Sequence, residues 1–130
     1  MERTKADYIE YRIGRSEEAF RDAKLLAGNG SWNSCVNRLY YACFYVVSGL
    51  LLDIDIQPKT HKGIKINFLM HFVKTEKIDK SLGKFYTNLH DWRGEGDYAD
   101  YVDFNKTMVF PLIAETEIFI NTIKNLISEK

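Results

Sequence analysis

Arg93 is the residue whose position most demands a chemical partner. It lies eleven residues after Leu82, about three helical turns, and so shares a helix face with Tyr86 and Leu89. A guanidinium on an apolar stripe must meet an anion, because a buried charge without a partner is strongly destabilising. Two kinds of partner fit. One is a structural clasp with Asp97 or Asp100; the other is a phosphate from outside, which the guanidinium fork can hold bidentately.

A second group lies near the middle of the chain. Projected at 100° per residue, Ser34, Asn37, Arg38, Tyr41, Tyr45 and Ser48 fall on one stripe of a helix whose other face is aliphatic. Tyrosines in such a place either bridge core and solvent with locally satisfied hydroxyls, or line a groove or dimer face, where tyrosine and arginine are enriched. Lys59-Thr60-His61-Lys62-Gly63 has the composition of a helix start that could hold an anion on backbone N–H groups and two lysines, or simply cap a helix. Asp97, Asp100 and Asp103 do not form a calcium-loop pattern, the three histidines lack zinc spacing, and neither cysteine belongs to a CxxC pair, so metal is not expected. The chain has no glycine-rich phosphate loop, nucleophile elbow or HExxH motif, which argues against a standard kinase or hydrolase.

Helices must position these groups. Only two prolines occur in 130 residues, Pro58 and Pro111. Apolar residues at helical spacing predict a first helix over 3–27, stopping at Gly28-Asn29-Gly30. A second, capped by Ser31 and running to Asp53, is apolar over most of its circumference and belongs at the centre of a bundle. Thr60 caps a third over 61–74. A fourth starts near Asp79, carries Leu82, Phe85, Tyr86, Leu89 and Trp92 on one stripe, and ends near Gly94 or Gly96. The acidic stretch 95–104 connects it to a fifth helix over 107–128, in which Pro111 is tolerable only near the first turn. The expected fold is all-α, an antiparallel up-and-down helical bundle of four long helices plus one shorter helix, forming a single domain over 1–130.

Composition narrows the function. Eighteen basic residues balance eighteen acidic ones, so no global field draws the chain onto nucleic acid; contact with RNA would be local, and DNA is not an expected partner. Cys35 and Cys43 lie eight apart on one helix, about 12 Å at the standard rise, too far for a disulfide. The apolar run 39–52 is shorter than the roughly 20 residues a bilayer span needs. With no signal-peptide core at the N-terminus either, the expected location is the cytoplasm, with no membrane partner.

Asn37-Arg38-Leu39-Tyr40-Tyr41-Ala42-Cys43-Phe44, Thr60-His61-Lys62-Gly63 and Arg93-Gly94-Glu95-Gly96-Asp97-Tyr98, in this order, resemble a small stand-alone branch of the HEPN family. The resemblance implies a homodimeric bundle without cofactor, often encoded beside a minimal nucleotidyltransferase as a toxin–antitoxin-like pair. Many HEPN proteins are metal-independent ribonucleases whose signature is arginine, four to six residues, then histidine, with a tyrosine two residues later where the partner enzyme adenylylates it. Carried over from Arg93 with the four-residue spacing, the histidine falls at Tyr98 and the tyrosine at Asp100, and neither matches. Tyrosine titrates near 10 and aspartate near 4, so neither replaces histidine as a proton shuttle near neutrality.

The expectation is therefore a binding module rather than an enzyme. Arg38, Tyr41, His61, Lys62, Arg93, Asp97 and Tyr98 would surround a nucleotide or RNA phosphate, and Tyr98 and Tyr101 are candidate adenylylation acceptors by analogy. The alternatives are a metal-independent ribonuclease in which Arg93, the best catalytic candidate, works with His90 or His61, and an interaction protein in which Arg93 and Asp97 only brace the bundle.

Overall fold

Thr4 opens the first helix with a reciprocal cap: its hydroxyl accepts from the Asp7 N–H and the Asp7 carboxylate accepts from its own N–H. In the computed structural model, residues 2–98 and 103–128 are described, side chains excepted at 94–98 and 128. Helix α1 spans Lys5–Gly28, α2 Trp32–Asp53, α3 His61–Phe68, α4 Lys80–Tyr98 and α5 Lys106–Ser128, and α3 continues into a π-helical turn, Leu69–Val73. The chain is all-α, with no strand among the described residues.

Both α1 and α2 end in a Schellman motif. In α1 the residue in the left-handed conformation is Gly30 (φ 74°), with Gly30 N–H donating to the Ala27 carbonyl and Ser31 N–H to that of Leu26. Ser31 is thus committed to closing α1. It makes no side-chain cap for α2, and its hydroxyl accepts from the Asn29 amide instead. In α2 the equivalent residue is Asp55 (φ 63°), whose carboxylate is 3.2 Å from Lys5 at the start of α1.

Helix α2 is the hub, packed against α1, α3, α4 and α5. Taken alone it is long and apolar enough to cross a bilayer, but the bundle buries most of it. Leu39, Tyr40, Ala42, Cys43, Val46, Val47 and Leu51 are wholly enclosed. Against it α1 runs antiparallel: the Ser16 hydroxyl donates to the Ala42 carbonyl at 2.6 Å, and Arg12 to that of Ser48 at 3.0 Å. Phe119 of α5 meets Phe68 of α3 and Phe85 and Tyr86 of α4, closing the other side of the core.

Three boundaries differ from expectation. The third helix changes to π geometry after Phe68. The fourth continues past Gly94 and Gly96 to Tyr98, because helix-interior glycine costs only about 1 kcal/mol and no proline follows. The fifth starts at Lys106, with the Asn105 side chain accepting from the Met108 N–H, which places Pro111 in its second turn. Pro111 supplies no N–H, so the Thr107 carbonyl lacks its usual intrahelical donor.

Candidate functional site

The site is organised by Tyr40. Its ring is fully buried on the central helix, yet its hydroxyl reaches the His61 Nδ1 at 2.7 Å. His61 is brought there by local chemistry at the start of α3. The Thr60 hydroxyl accepts the Gly63 N–H at 2.8 Å, and a Cβ at position 63 would lie 2.9 Å from that hydroxyl and 3.1 Å from Pro58. Thr60 and Gly63 therefore form a compact cap, with His61 in its first turn and packed on α2. The imidazole stacks on Phe44 at 4.4 Å between centroids and meets the edge of Tyr41 at 5.7 Å.

Helix α4 supplies the third wall. Tyr86, His90 and Arg93, on one face at helical spacing, all meet the Tyr40 ring: Tyr86 and His90 at 6.0 Å and the Arg93 guanidinium over its face at 5.3 Å. Arg93 thus turns inward, as its place on the apolar stripe predicts, with its Nε screened from solvent. His90 Nδ1 lies 3.3 Å from Asp91, and Lys65 of α3 lies 4.0 Å from the same carboxylate. On the other side of Tyr41 the Arg38 guanidinium covers the ring at 4.8 Å and donates to the Asn37 side chain.

The electrostatics follow from burial and from Arg93. Burial foremost, then the Arg93 charge and His90, lowers the His61 pKa, so its imidazole is neutral near pH 7. Burial pushes the Tyr40 phenol up to about 12, with the Tyr86 hydroxyl and Arg93 opposing the shift, and it holds Tyr86 higher than its ordinary range as well. Both tyrosines keep their protons at any physiological pH. The chemistry on offer is a fixed cation beside a neutral imidazole and two protonated phenols, a set suited to receiving a phosphate and donating hydrogen bonds to it.

Of the predicted residues, Arg38, Tyr41, His61 and Arg93 come together. Lys62 is exposed and contributes no contact to the cluster. The side chains of Asp97 and Tyr98, and all of Tyr101, lie outside the described residues, as does the proposed Arg93–Asp97 clasp. Tyr40 lies off the stripe that Asn37, Arg38, Tyr41 and Tyr45 form, so helical projection does not single it out as the hub. An aromatic at the i−4 position to Phe44, next to Tyr41, was the available signal. His61 is expected at the site and, like His90, as a substitute for the missing histidine, but no spacing rule could show that both meet at Tyr40.

With this geometry in hand, comparison with known proteins is direct. The HEPN domain family model matches residues 9–126, and the chain belongs to that family. It is 42% identical to a "UPF0332 protein" of Thermotoga maritima over 96% of this chain and 95% of that one. Two Methanocaldococcus jannaschii proteins named "Putative toxin", MJ0605 and MJ0142, are 31% and 29% identical, over 93% and 94% of this chain and 90% and 83% of their own lengths.

Proposed function

We propose that this protein is a toxin-like HEPN module that binds the phosphate of a nucleotide or RNA at the site formed by Arg93, His61, Tyr41 and Arg38. It acts as a cytoplasmic homodimer with a nucleotidyltransferase partner. The observation that carries the reading is the inward guanidinium of Arg93 over Tyr40, beside an imidazole that stays neutral. The names of the two Methanocaldococcus relatives support the toxin-like part. Equilibrium binding of ATP and a short RNA to wild type and Arg93→Ala tests it. A loss of at least tenfold is expected, since a charge-assisted hydrogen-bond pair contributes about 1.5–3 kcal/mol; equal affinities would remove the site. Light scattering should give twice the chain mass, and a monomer at micromolar concentration would remove the dimer.

A second reading, a metal-independent ribonuclease, is favoured by one specific observation. The histidine absent after Arg93 in sequence has a counterpart in space, since the His61 ring and the Arg93 guanidinium both lie against Tyr40, at 5.7 and 5.3 Å from its ring centre. Cleavage of single-stranded RNA in EDTA, abolished in both Arg93→Ala and His61→Asn, would establish it. Intact RNA after prolonged incubation leaves the binding module alone.

A further inference from the structure

The hydrogen bond between Tyr40 and His61 has a direction, and the direction decides what His61 can do. The Tyr40 side chain is fully buried, and among the described residues its hydroxyl has one hydrogen-bond partner, the His61 Nδ1; the Tyr86 hydroxyl is likewise buried and makes no hydrogen bond in normal geometry. Two arrangements of protons are conceivable. If His61 Nδ1 carried a proton and gave it to Tyr40, the Tyr40 proton would be left buried with nothing to accept it. If Tyr40 donates to His61 Nδ1, its proton has an acceptor, and leaving one unsatisfied is costly in a buried place.

We infer that Tyr40 is a positioning residue that holds His61 in the Nε2–H tautomer, so that His61 offers a hydrogen-bond donor and not a base to a ligand beside Arg93. The imidazole is stacked on Phe44 at 4.4 Å and edged by Tyr41, which fixes the ring plane. Its Nδ1 is taken up by a buried hydroxyl, so Nε2 is the ring nitrogen left for a ligand. Arg93 and His90 are the other titratable groups close to the ring, with Asp91 and Lys65 one step further out. The ligand class that wants a neutral N–H donor beside a guanidinium is a phosphate ester with non-bridging oxygens. The tautomer stands on the geometry alone; the donor role rests on the phosphate reading above.

Nitrogen-15 NMR of the histidine rings tests the two parts separately. In the free protein His61 should show a protonated Nε2 and an Nδ1 resonance typical of a hydrogen-bonded acceptor. In Tyr40→Phe, which keeps the buried ring, the Nδ1 resonance should move to the value of an unbonded acceptor. A protonated Nδ1 in wild type, or an Nδ1 resonance untouched in Tyr40→Phe, overturns the tautomer. Adding inorganic phosphate or adenosine monophosphate should then shift the His61 Nε2–H resonance, and Tyr40→Phe should bind the nucleotide roughly fivefold more weakly, one hydrogen bond's worth. An Nε2–H resonance that ignores both ligands overturns the donor role and the phosphate reading while the tautomer survives.

Discussion

At the scale of single residues, the charge on Arg93 does its measurable work on His61. A histidine whose folded-state pKa lies below its ordinary value of about 6.5 takes up a proton more readily when unfolded. Its contribution to stability is therefore complete above about pH 6.5 and is lost as pH falls through the lower folded value. Arg93→Gln removes a positive charge, so the His61 midpoint read by NMR should rise towards 6.5. A midpoint unmoved by that change would mean that burial alone sets it. The two cysteines behave in the opposite sense: burial pushes Cys35 up to about 11 and Cys43 higher still. Neither thiol should react with a disulfide reagent at pH 8 until the protein unfolds, and rapid labelling of the native protein would contradict their burial.

Two glycines separate backbone packing from mere tolerance at the scale of the helices. A Cβ at Gly83 of α4 would lie 2.9 and 3.0 Å from the two methyls of Val73 and 3.2 Å from Leu69, both in the π-helical turn. Gly83→Ala should thus destabilise by about 1–3 kcal/mol in denaturant melts, with Val73→Ala restoring part of the loss. At Gly49 of α2 the nearest atoms are 3.7 to 3.9 Å away, on Arg12, Ile9 and Ile127, which is ordinary contact. Gly49→Ala should therefore stabilise by about 0.5–1 kcal/mol through helix propensity. If the signs were reversed, the packing of α4 on the π turn would not be as described. The helices themselves were readable in advance: Thr60 as a cap, the apolar breadth of α2, and the stripe of Leu82, Phe85, Tyr86 and Leu89 all reappear. Less readable was Ser31, whose cap chemistry was overridden because the Schellman turn of α1 took its backbone first.

For the molecule as a whole, the site is an outgrowth of the core. Tyr86 stacks on Phe119 at 5.8 Å with planes 10° apart, and Phe119 is fully buried against Phe68 and Phe85. The ring of α5 thus braces the helix face that carries His90 and Arg93. Phe119→Ala should cost about 3–5 kcal/mol and weaken nucleotide binding, although residue 119 makes no contact with Arg93. Full affinity in a destabilised Phe119→Ala would show that the site is held locally.

The sequence by itself determined the all-helical class, the central place of α2, the inward aim of Arg93 and the membership of the chain in a family, because periodicity and capping are local and survive in any packing. Tertiary structure alone decided that His61, on the short α3, and His90, on the long α4, converge on the buried Tyr40. The reason is that a proton's direction at a buried hydroxyl depends on which groups lie within about 3 Å of it, and no spacing along the chain encodes that.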